Sequence, residues 1–118
     1  MGVPILTQGE CLIASVQDAL SDAELRDLQQ RLAEQVGARG VRGVVIDVTV
    51  LDVIDSFATR TLSTIAYAVK LRGAEVVIVG IQPEVAFAMV QLGLTLEGVS
   101  TALNLDEGMA LLRRTRSS

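Results

Sequence analysis

Apolar residues along this chain come in two textures. Some form short, nearly unbroken β-branched runs; others recur every three or four positions between polar residues. The first texture marks strands and the second marks amphipathic helices. Residues 3–7 (VPILT) and 11–16 (CLIASV) are two short runs divided by the turn Gln8-Gly9-Glu10, which reads as a hairpin. Ser21-Asp22-Ala23-Glu24 has the form of a capping box, with the serine hydroxyl and the glutamate carboxylate each satisfying a free N–H of the other. Leu25, Leu28, Leu32 and Val36 follow as one apolar stripe, so a helix is predicted there, ended by Gly37 and Gly40.

Residues 41–48 (VRGVVIDV) and 74–81 (AEVVIVGI) are β-branched and almost continuously apolar, as parallel strands covered on both faces tend to be. Between them Ser56 opens and caps a helix whose stripe is Ala58, Leu62, Ile65, Ala66 and Val69. Lys70 and Arg72 suit its negative C-terminal end, and Gly73 stops it. Pro83 fits the first position of a short helix closed by Gly93. Residues 99–105 (VSTALNL) form a weaker last strand. Asp106 then caps a final helix through Leu112, with 115–118 as a frayed tail. The predicted order is β-β-α-β-α-β-α-β-α: an α/β fold with a mixed, mostly parallel sheet, flanking helices and right-handed crossovers.

Composition narrows what such a fold can do. With 118 residues, half of them apolar, the chain is one domain with a real core. Three aromatic residues and no Trp leave little for stacking on bases, and a net charge of −4 makes no global basic field. Neither nucleic acid nor membrane is expected as a partner. The absence of His removes Ser-His-Asp and Cys-His catalysis and His-ligated metals. The single Cys11 lies in an apolar strand run, where a core thiol is expected, and a reducing, cytoplasmic setting fits it. The N-terminus lacks the charged and long apolar regions of a signal peptide, and Leu6 stands where a myristoylated chain has Ser or Thr. No uncharged run approaches the ~20 residues of a membrane helix.

The segment Asp47-Val-Thr-Val-Leu-Asp52-Val-Ile-Asp55-Ser56-Phe57 holds the most chemistry. It joins the C-terminal end of a central strand to a helix, the edge at which ligands collect in open α/β sheets. Ser56 is both a helix cap and a candidate phosphoacceptor. A phosphate there would face free backbone N–H groups, while Asp52 and Asp55 would oppose it, so it would change a binding surface more than the fold. Thr59 and Ser63 share its helix face as secondary acceptors. Asp47, Asp52 and Asp55 suggest magnesium only on comparison with a receiver domain. That comparison fails, because the early strands offer only Glu10 and the only lysine is Lys70; no metal and no cofactor is expected. Gly37-Ala-Arg-Gly40-Val-Arg-Gly43 follows a helix and precedes a strand, the reverse of a phosphate-binding loop. With no base–nucleophile constellation, an enzyme is the weakest reading.

The element order, with Val44-Val-Ile-Asp47 leading into Ile54-Asp55-Ser56-Phe57, resembles the STAS domain over essentially the whole chain. Val3-Pro-Ile-Leu6, Gly80-Ile-Gln-Pro83 and Thr101-Ala-Leu-Asn104 extend the resemblance to the RsbS-type scaffolds and antagonists of bacterial stressosomes. The resemblance implies a cytoplasmic complex shared with sensor-bearing, RsbR-like paralogues and further copies. It implies capture of an RsbT-like kinase of the GHKL class, phosphorylation of the serine matching Ser56, and reset by a PP2C-type phosphatase. The partner surface would be Asp52, Asp55, Ser56, Phe57 and Thr59. The other readings are a direct antagonist of an anti-sigma kinase, in which small residues usually follow the serine, and a small-ligand or nucleotide-binding STAS module.

Overall fold

A computed structural model describes residues 2–18, 20–94, 96 and 99–117, the last three by backbone alone. The strands are β1 (Ile5–Gln8), β2 (Cys11–Ser15), β3 (Gly43–Asp47), β4 (Glu75–Val79) and β5 (Ser100–Ala102). The helices are α1 (Asp22–Arg39), α2 (Ser56–Leu71), α3 (Pro83–Gln91) and α4 (Leu105–Ser117). The predicted element order and the mixed sheet are both present.

Sheet order equals chain order, β1-β2-β3-β4-β5. β1 runs antiparallel to β2, and the other pairs are parallel. The register aligns Ser15, Asp47, Val79 and Ala102 in one row, so the parallel strands end level with one another. Side chains alternate across the sheet, as a period of two requires. Leu12, Ala14, Val44, Ile46, Val76 and Ile78 pack with α1, α2 and α3, whereas Cys11, Ile13, Val45, Val77 and Val79 pack with Leu112 of α4. Three helices therefore lie on one face and one on the other.

The α1 stripe of Leu25, Leu28, Leu32 and Val36 is buried as its spacing predicts, and the Ser21–Glu24 capping box is formed. Hydrogen bonds from the Ser21 backbone and hydroxyl hold the Glu24 carboxyl below its ordinary pKa. The stabilisation from this pair is thus present above the usual carboxylate range and fades as acid protonates Glu24. Gly37 does not end α1; the helix continues to Arg39, and Gly40 stops it in the left-handed conformation. The final helix is capped by Asn104 rather than Asp106, with the Asn104 Oδ1 accepting from Glu107 N at 2.9 Å. Its backbone also runs past Leu112 to Ser117, since no Gly or Pro follows to stop it. Part of the predicted frayed tail is therefore helical, and Ser118 lies outside the described residues. The last strand shrinks to three residues because Leu103 and Asn104 already turn toward α4. Among the described residues no helix is long and apolar enough to cross a membrane.

One glycine couples fold to site. Gly80 follows β4 at φ +84°, and a Cβ there would overlap Thr49 of the β3–α2 connection. Gly80→Ala should cost about 3 kcal/mol, combining left-handed strain with overpacking. Gly9→Ala, at φ +60° in open space, bears the conformational part alone. Urea unfolding of the two variants should separate them by about 1 kcal/mol or more; equal losses would mean Thr49 moves aside freely.

Candidate functional site

The β3–α2 connection is built as a braced turn. Asp47 ends β3, and its Oδ1 accepts from the Thr49 backbone N–H at 2.9 Å and from the Thr49 hydroxyl. The Val48 N–H donates to the Val79 carbonyl at 3.0 Å, and the Leu51 N–H to the Val48 carbonyl at 3.0 Å. From the neighbouring β4–α3 connection, Gln82 Nε2 donates to the Thr49 carbonyl at 2.7 Å. Gln82 occupies the N-cap position of α3 but makes no side-chain cap there, because its amide is directed at Thr49. Val48 and Ile54 are buried anchors on either side, while Val50, Asp52 and Val53 are exposed.

At the start of α2 the roles of two residues are exchanged relative to prediction. Asp55, not Ser56, is the N-cap; its Oδ1 accepts from Ala58 N at 2.8 Å. Aspartate and serine cap equally well, and the burial of Ile54 places Asp55 at the turn. Ser56 is the first residue of the helix, exposed, and no described residue holds its hydroxyl. The threonines of α2 behave differently. Thr59, Thr61 and Thr64 each donate their hydroxyl to the carbonyl four residues back, those of Asp55, Phe57 and Arg60, at 2.8 to 2.9 Å. Thr59 is also only 3% exposed. Its assignment to the partner surface and as a secondary acceptor is therefore corrected: it falls in the buried stripe with Leu62, Ile65, Ala66 and Val69, and its hydroxyl is occupied within the helix. Ser63 is half-buried.

Asp52, Asp55, Ser56 and Phe57 come together on one exposed stretch. The three carboxylates do not converge: Asp47 is turned into its own connection and Asp55 caps α2. Among the described residues no group of three Cys, Asp or Glu is arranged for a metal ion. Phe57, 37% exposed, stands between two depressions. One is an apolar cavity of about 140 Å³, lined by Val16, Leu25, Val48, Leu51, Ala58 and Leu62 among others. The other is a groove of about 330 Å³ between α1 and α2, which Arg26 and Arg60 enter. Sequence reasoning missed Gln82 as the brace and the arginine-lined groove beside Phe57. The Gly80-Ile-Gln-Pro83 stretch was the available signal for the brace, because a polar residue there interrupts an otherwise apolar strand end.

The site is an exposed serine at the head of α2, on the rim of a small α/β domain where the parallel strands end. The STAS-domain model matches residues 3–108, and the chain belongs to the STAS family. Within that family it is similar along nearly its whole length to RsbS. A serine-to-glutamate variant of RsbS from Moorella thermoacetica matches with a TM-score of 0.82 and 32% identity, covering 98% of both chains. A chain from the stressosome, described as a signal integration and transduction hub, gives 0.81 and 33%, covering 98% of this chain and all of the other. The RsbT co-antagonist RsbRA of Bacillus subtilis is 36% identical over 66 residues, 56% of this chain. The chain spans about a quarter of that relative's length, 24%.

The exchange of cap and first residue has a measurable signature. Asp55→Ala should cost about 1 kcal/mol in urea unfolding, since it frees the Ala58 N–H. Ser56→Ala should change stability by under about 0.5 kcal/mol, as expected for an exposed residue that makes no capping hydrogen bond itself. A larger loss at Ser56 than at Asp55 would return the capping role to the serine.

Proposed function

We propose that this chain is a non-enzymatic scaffold of a cytoplasmic, stressosome-like assembly, built with sensor-bearing RsbR-like paralogues and further copies of itself. In this reading it captures an RsbT-like kinase of the GHKL class. Phosphorylation of Ser56 by that kinase releases it, and a PP2C-type phosphatase restores the starting state. The observation that carries the reading is the Ser56 hydroxyl: exposed, unengaged, and at the first helical position directly after a braced connection, in a chain similar to RsbS over 98% of its length.

The physical logic is a change of surface rather than of fold. Unmodified, the stretch offers apolar contact from Val50, Val53 and Phe57 beside the exposed Asp52 and Asp55. A phosphate adds roughly −1.5 to −2 charges at the centre of that patch. The backbone N–H groups of the first turn tolerate it, so the helix survives while the binding surface is rewritten. A partner resting on Phe57 and Val53 would then meet a hydrated dianion. The apolar cavity beside Phe57 is about 140 Å³, below the roughly 300 Å³ at which ligand pockets begin, and this weighs against nucleotide binding there.

Phosphopeptide mass spectrometry of the protein from its own host, before and after stress, is the direct test, with kinase co-purification followed in parallel. Stress should place phosphate on Ser56 and remove the kinase. Ser56→Ala should retain the kinase permanently, and Ser56→Asp should weaken its capture by tenfold or more, about 1.4 kcal/mol. Equal capture by Ser56→Asp and wild type would sink the switch.

A further inference from the structure

The α1–α2 groove is lined by Phe57, the residue after Ser56, and carries two arginines and one carboxylate, Asp22. Asp22, Arg26 and Gln29 line it from α1, and Phe57, Arg60, Thr61 and Thr64 from α2. Both arginines are exposed, and neither is within ion-pair distance of a carboxylate among the described residues. The sixteen residues of α2 include no Asp or Glu. Arg60 therefore has no acid one helical turn before it, and the residue in that place is Ser56.

Residues four apart on a helix lie one above the other, and long helical side chains lean toward the N-terminus. Arg60 thus leans back over the turn that Ser56 opens. An acid placed N-terminal to a basic residue is also the favourable orientation of such a pair. Guanidinium groups bind phosphate through paired N–H donors and stay charged at any relevant pH. We propose that phosphate on Ser56 is received by Arg60, with Arg26 joining from across the groove, so that the modification completes an ion pair the unmodified chain leaves half-built. The inference rests on the Ser56 reading above and adds how the mark is held. The phosphate is drawn along the edge of Phe57 and takes both positive charges of the groove away from any partner.

The test needs no kinase. Phosphoserine is installed at position 56 by genetic encoding, and the second ionisation of the phosphate is followed by phosphorus NMR in the folded and the urea-unfolded protein. Arg60 and Arg26 lower that pKa, whereas Asp52 and Asp55 from the connection and Asp22 from α1 raise it. The folded value should lie below the unfolded value. Arg60→Gln should raise it by about half a unit, an exposed-site fraction of the shift a buried arginine produces. Arg26→Gln should raise it less, and Arg60→Lys should keep most of the effect. A folded value unmoved by Arg60→Gln overturns the inference. Kinase release by the phosphorylated wild type is measured separately. If release occurs with no Arg60 effect, the scaffold reading stands and this inference falls; if the phosphorylated protein keeps the kinase, the scaffold reading falls whatever the pKa.

Discussion

Right-handed crossovers between adjacent parallel strands are the constraint from which the rest of this molecule follows. Each of the three crossovers advances the sheet by one strand in the same direction, so α1, α2 and α3 must all lie on one face. That forces α1 and α2 to run side by side, which creates the groove holding Arg26 and Arg60. It also makes the β3–α2 and β4–α3 connections neighbours at the same rim. Gln82 and Thr49, 33 residues apart, can then meet. The site is a by-product of sheet order before it is a matter of side chains.

The rim is held by contacts both within the β3–α2 connection and across to the next one. Asp47 closes a turn on Thr49, Gln82 braces the Thr49 carbonyl from the next connection, and Gly80 permits the close approach that brings the two together. Val48 and Ile54 sink into the core at either end. Between these fixings the chain presents Val50, Asp52 and Val53 outward and then delivers Ser56 at the first helical position. A surface held by these contacts needs little ordering when it is bound; under the proposed function, a group added at Ser56 would alter recognition without a rearrangement of backbone.

Much of this was legible in the order of residues. The α1 stripe and the two central strands follow directly from spacing and β-branching, because each is decided by burial against a sheet that any α/β chain of this pattern must form. Choices between near-equals were not legible. Asp55 and Ser56 are both good caps, as are Asn104 and Asp106, and tertiary anchoring selects one of each pair. Thr59 could have been placed by phase: it continues the spacing of Leu62, Ala66 and Val69, although its hydroxyl argues for solvent until the carbonyl of Asp55 is seen to accept it. The contact between Gln82 and Thr49 is long-range and leaves no periodic trace.

The threonine hydroxyls of α2 turn inward upon their own helix, and this has an informational consequence. With Thr59, Thr61 and Thr64 engaged by backbone carbonyls, the first turns of the helix leave Ser56 as the hydroxyl most open to chemistry. Under the proposed function, such a surface would act as a binary digit, either marked or blank. Gradation would then have to come from a census across many copies rather than from intensity within one. In an assembly of such chains, the dynamic range of the response scales with the number of subunits.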